Sequence, residues 1–225
     1  AAVAHVPFPA WMRRGARGIA AVLCLAAAPA AGAGHDGSQV FPFVVLMQAR
    51  VGSNWFQSTH LDQHPDIYAK LEICQKLSPE SCGRAIRDFN KKCLEKADAA
   101  GPRPLWCGFK EFAYHMLPWI GMLHELEANC GRFQKYRIVH LYRVNIVKQA
   151  VSMCVAMATG VWQCKPGSER CRKPEEAPKI RAGDVMQAID GLFAESKDMC
   201  HALRHFPAER VLEVSYEDLI ADEAA

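Results

Sequence analysis

The sequence predicts a single α/β domain built on a parallel sheet with helices on both faces. Three observations carry this expectation: short apolar runs recur along the chain, helical stretches separate them, and two of the runs break off directly into a helix start. Strands that alternate with helices pair in parallel and bind ligands at their carboxyl ends. Neither an internal repeat nor a second domain is visible, and 225 residues at 50% hydrophobic and 23% charged suffice for one sizeable core. A net charge of +3 argues against wholesale nucleic-acid binding, yet suits a pocket for a small polyanion.

Residues 1–40 stand apart from the domain expected over 41–225. Arg13, Arg14 and Arg17 precede the apolar run Gly18–Ala31, and small residues continue to Gly34, which is the grammar of a secretory signal starting near Met12. The run is shorter than the ~20 apolar residues of a comfortable membrane span, so residues 12–34 read as a cleaved signal or a short signal anchor. An Ala-rich extension or a transit peptide is the alternative. Ten cysteines fit an oxidising lumen; with Cys24 in the leader, an odd number is left for the domain. Cys164 and Cys171 flank Lys165–Arg170 like the feet of a local disulfide hairpin. No Cys-x-x-Cys spacing occurs, so no metal is expected.

The first run, Phe43–Met47, delivers Arg50, Val51, Gly52, Ser53, Asn54 and Trp55 to the start of a helix over Asn54–Leu61. Backbone N–H groups at a helix start favour an anion, glycine permits close approach, and arginine adds a charge that pH cannot remove. This is a P-loop-like cradle without the spacing of a nucleotide-triphosphate loop, which argues against a triphosphatase or a kinase-like phosphotransferase. His64-Pro65-Asp66 ends the helix, with Asp66 as the cap of the next element. A helix over Ser78–Ala99 leads to a second strand at Trp106–Lys110, bounded upstream by Gly101-Pro-Arg-Pro104. Pro118–Leu126 reads as a helix broken near Asn129–Gly131. Tyr136–Tyr142 is the third strand, and after it come a helix over Asn145–Met157, a polar loop from Gly160 to Pro178, and a helix over Asp184–Leu203 with Asp184 as N-cap. Arg210–Ser215 is the fourth strand.

Three segments resemble the sulfotransferases that use 3′-phosphoadenosine 5′-phosphosulfate (PAPS), above all the secretory-pathway branch acting on carbohydrates and tyrosyl proteins and the related bacterial glycolipid enzymes. Arg50-Val-Gly-Ser-Asn-Trp55 resembles the family's 5′-phosphosulfate loop, with Asn54 in place of the usual hydroxyl. His140-Leu-Tyr-Arg143 with Gln149-Ala-Val-Ser152 is similar to its 3′-phosphate motif, in which the arginine of a strand end and a serine on the next helix grip a phosphate. Val211–Leu219 resembles the strand ending in Tyr-Glu-Asp-Leu that closes the nucleotide site. The resemblance implies a sulfotransferase fold, PAPS as co-substrate, and a hydroxyl-bearing acceptor, a glycan or glycolipid. With the leader, it implies the secretory pathway and the Golgi lumen. The rival reading is a lumenal binding protein that kept the anion cradle without turnover.

Sulfuryl transfer to a hydroxyl requires a base, cations on the sulfate and in-line positioning. Glu72, six residues after Asp66, occupies the place of the family's catalytic glutamate beyond its His-Pro-Asp turn; the plain alternative is a solvated glutamate beside Lys70. Lys110 would face the sulfate or protonate the bridging oxygen, unless it is a surface lysine paired with Glu111. Phe112 stands where cytosolic relatives place a histidine, and His115 is the nearest substitute, ranked below Glu72. Trp55 would stack on adenine and Tyr216 would line the same pocket; alternatively Trp55 is core. Arg50 and Arg143 are the firmest candidates, because an arginine at the mouth of a buried parallel sheet is costly unless an anion meets it.

Overall fold

The computed structural model describes residues 40–74, 77–101, 103–129, 135–162 and 178–223. The leader, the Cys164/Cys171 pairing and most of the loop after Gly160 lie outside the described residues. The expected architecture is present: five strands, β1 (Val40–Met47), β2 (Ile67–Lys70), β3 (Leu105–Phe112), β4 (Arg137–Tyr142) and β5 (Val211–Ser215), form one sheet in the order β2-β3-β1-β4-β5. Every neighbouring pair is parallel.

β1 lies at the centre and is buried along its whole length, which is why it reads as an unbroken apolar run. Its side chains alternate between two cores. Val40, Val44 and Leu46 pack with Ile86 and Phe89 of α2 (Pro79–Ala100), Leu123 of α4 (Ile120–Asn129) and Met199 of α6 (Ala182–Leu203). Phe43, Val45 and Met47 face the other way, towards Phe56 and Leu61 of the helix after the cradle and Leu219 of α7 (Tyr216–Glu223). That helix, α1, runs over Ser53–Phe56 and widens into a π turn over Gln57–Leu61. A third apolar cluster joins Ala150 and Cys154 of α5 (Ile146–Thr159) to Ala188 and Leu192 of α6.

Several expectations need correction. Strand β2 was not foreseen, since its four residues are too few to show a period and none is fully buried. Asp66 is not a helix cap: its carbonyl accepts the Trp106 N–H at 2.8 Å and so opens the β2–β3 pairing. β3 extends to Phe112, placing Lys110 inside the strand rather than at its end. The segment after β3 turns first through α3 (Ala113–Met116) and a 3₁₀ turn (Leu117–Trp119) before α4 begins. The N-cap of α6 is Arg181, and Asp184 sits a turn inside, its carboxylate accepting from the Arg181 Nε at 3.0 Å and Nη2 at 2.8 Å. Cys74 and Cys82 form a disulfide that ties the segment after β2 to the first turn of α2. Cys93, Cys107 and Cys154 are buried free thiols.

Candidate active site

The carboxyl edge of the sheet gathers nearly all the residues that the sequence marks as candidates. The chain leaves β1 through two left-handed residues, Arg50 at φ 63° and Gly52 at φ 82°, and Phe56 N–H then donates to the Gly52 carbonyl at 2.9 Å. A Cβ on Gly52 would lie 2.5 Å from the Tyr216 ring, so only glycine lets the loop and that ring approach. The loop is fastened from two helices. Gln149 of α5 donates to the Ala49 carbonyl at 2.6 Å, and Glu195 of α6 accepts the Ala49 N–H at 3.2 Å. Gln48 donates to the Leu192 carbonyl at 2.9 Å and the Ser196 hydroxyl at 2.8 Å.

Arg50 Nε donates to Ser152 Oγ at 3.1 Å, and its Nη1 donates to the Trp162 carbonyl. Arg143, just past β4, brings Nη1 to 3.5 Å from the Arg50 carbonyl and lays its guanidinium over the Tyr216 ring, 4.7 Å from the centroid. Its Nε is buried and has no hydrogen-bond partner, the Glu217 carboxylate standing off at 3.6 Å. Burial raises the Glu217 pKa, but N–H groups of Val144 and Asn145 at 2.9 and 3.2 Å, with Arg143, outweigh that and hold it below the usual range. Trp55 meets Tyr216 edge-on at 5.7 Å and packs against the second core, so it serves as a wall of the same cluster. The Val51 side chain is fully buried in that core, so only its backbone is left to the cradle.

On the other flank Lys110 is 2% exposed and reaches the cradle. Its Nζ donates to Ser53 Oγ at 3.3 Å and to the Asn54 side-chain oxygen, and pairs with Glu72 at 3.1 Å. Neither plain alternative survives: Lys110 is no surface lysine and Glu72 is no solvated loop residue, its side chain being 12% exposed. Burial pushes the Lys110 pKa below its ordinary value, while Glu72, Glu111 and Asp62 pull it back up. Asn54 makes sense in this setting, since a carboxamide oxygen accepts from the ammonium as a hydroxyl would.

His115 falls elsewhere. Side chains alternate along a strand, so Glu111 lies on the opposite face of β3 from Lys110, and His115 Nδ1 pairs with Glu111 Oε1 at 2.8 Å. The histidine is therefore turned towards Glu111 rather than the cradle. Sequence reasoning missed Gln149, Glu195, Glu217 and Glu111 as fasteners. Glu217 and Gln149 carried a signal, being part of the Tyr-Glu-Asp-Leu segment and of the Gln149-Ala-Val-Ser152 segment.

Two guanidiniums, a buried ammonium and a carboxylate converge at the carboxyl edge of a parallel sheet, a charge arrangement that can hold an anion. Residues 114–225 match the family described as Stf0 sulphotransferase, a stretch that contains Arg143, Ser152 and Tyr216. The match supports sulfotransferase activity as the general class of this chain. No curated protein matches it.

Proposed function

We propose that the chain transfers a sulfuryl group from PAPS to a hydroxyl of a carbohydrate acceptor in the secretory pathway. The observation that carries this reading is the meeting of Arg50 and Arg143 through the Arg50 carbonyl, beside Ser152 and Tyr216. The residues fit a doubly anionic nucleotide: Arg143 has a buried Nε without a hydrogen-bond partner, and its guanidinium lies over the Tyr216 ring that Gly52 lets close on the cradle. Arg143 and Ser152 would hold the 3′-phosphate, Arg50, Ser53 and Asn54 the 5′ end, and Trp55 and Tyr216 the adenine. When bound, the donor supplies an activated sulfuryl group on its phosphosulfate.

The chain's own part is positioning and charge. Lys110 Nζ, tethered to Ser53 and Glu72, presents a positive charge at the cradle where oxygen charge develops during transfer. Glu72 lies within reach of the same ammonium and accepts the acceptor's hydroxyl proton at its carboxylate. A carboxylate held against the buried lysine of the cradle favours turnover over a purely binding protein. The test is transfer of labelled sulfate from PAPS to a panel of glycans, glycolipids and tyrosyl peptides, with labelling expected on a glycan. Label on tyrosyl peptides alone overturns the acceptor class. Nucleotide binding without transfer to any member returns the binding-protein reading.

A further inference from the structure

Glu111 is fully buried, in a strand whose preceding side chains on the same face, Cys107 and Phe109, are core. An ionised carboxylate in such a place is tolerated only when hydrogen bonds replace its hydration. Its Oε2 accepts the Cys74 N–H at 2.9 Å, and its Oε1 accepts the Phe112 N–H at 3.0 Å and meets His115 Nδ1 at 2.8 Å. Cys74 lies two residues beyond Glu72 and is joined to Cys82 at the start of α2. The short stretch from Glu72 to Cys74 is thus gripped at three points. Lys110 takes the Glu72 carboxylate on one face of β3, Glu111 takes the Cys74 backbone on the other, and the disulfide takes the Cys74 side chain.

We propose that Glu111 is a positioning residue for the transfer reaction: by clamping the Cys74 amide it sets where the Glu72 carboxylate stands relative to Lys110 Nζ, and His115 keeps the Glu111 carboxylate aimed. The inference rests on the reading of Glu72 as base. Glu111 itself touches neither donor nor acceptor. An apolar residue would fill the same core position, so the carboxylate is explained by the backbone amides and the imidazole it holds.

The experiment uses the oxidised full chain as wild type, Glu111→Gln, Glu72→Gln and the double variant. Sulfuryl loss from labelled PAPS, to a mixed disaccharide panel and to water together, is measured beside calorimetric affinity for 3′-phosphoadenosine 5′-phosphate and hydrogen exchange at Cys74. Glu111→Gln is expected to lower kcat on the order of 10²-fold, the scale of a small misplacement, with donor KM and nucleotide affinity within about twofold. Cys74 amide exchange speeds up, and the double variant is no slower than Glu72→Gln, because both changes disable one unit. Wild-type turnover in Glu111→Gln, or a loss that adds to that of Glu72→Gln, overturns the proposal. An equal fall in nucleotide affinity does the same, since it would mean general damage. Full activity in Glu72→Gln removes the base reading and the proposal with it, and is told apart by appearing in the single variant that leaves Glu111 intact. If Glu111→Gln does not fold, Glu111→Asp, which keeps a carboxyl group but shortens the reach, must show the same pattern or the proposal fails.

Discussion

The Arg143 guanidinium reaches the carbonyl oxygen of Arg50 at 3.5 Å, joining residues 93 positions apart in the chain. One arginine leaves β1 and the other leaves β4, and these strands are hydrogen-bonded neighbours, so the sheet itself brings the two charges together. A carbonyl is a modest partner for a guanidinium, and a phosphate a far better one.

Replacing Arg143 by alanine should therefore weaken binding of 3′-phosphoadenosine 5′-phosphate. Loss of a charge-assisted contact of about 1.5–3 kcal/mol corresponds to roughly 10- to 100-fold in dissociation constant by calorimetry. Unchanged affinity would detach Arg143 from the nucleotide site.

Lys110 sets a pH dependence. Its folded pKa lies below the ordinary 10.5, burial being the main cause, so the ammonium is lost at a lower pH than from an exposed lysine. The alkaline limb of kcat/KM is expected to fall before pH 10.5, and Lys110→Arg, which does not titrate in that range, should abolish that limb. For stability the sign is opposite. Between the folded pKa and 10.5 the unfolded chain binds more protons, so this group makes the fold more stable as pH rises through that window.

Gly52→Ala should damage the site without touching a charge. A left-handed residue other than glycine costs about 1–2 kcal/mol, and the added Cβ meets the Tyr216 ring at 2.5 Å. A drop in melting temperature together with reduced nucleotide binding is the expected outcome, and wild-type values for both would contradict this loop geometry.

Reduction of the Cys74–Cys82 bond should lower stability. The two cysteines are 8 residues apart, and closing so short a loop contributes about 2–3 kcal/mol. Denaturant unfolding with and without dithiothreitol reads this directly, and coincident midpoints would show that the bond adds no stability.

The central strands and the cradle were legible in the sequence because they are written locally: a buried parallel strand is a continuous apolar run, and a tight anion loop needs its glycine and small polar residues within a few positions. β2 was not legible, since four partly buried residues show no period and depend on β3 for their pairing. Glu111 looked like a partner for its neighbour Lys110, whereas strand alternation sends the two to opposite faces and gives each a distant partner. His115 lies close to Lys110 in sequence, but the turn at Ala113 directs it to Glu111. Asp184 is not the cap because the helix begins at Ala182, and its carboxylate reaches back to Arg181 from inside the helix.

The pairing of Val45 with Lys110 and of Leu46 with Glu111 leaves no freedom in how β3 lies against β1. Sliding β3 by a single position would exchange an ammonium for a carboxylate at the mouth of the cradle, turning an attractor of oxyanions into a repeller and leaving a bare cation in the oily layer beneath. Evolution can lengthen the connecting turns of this protein, but one residue gained or lost within Leu105–Phe112 inverts the polarity of its chemistry.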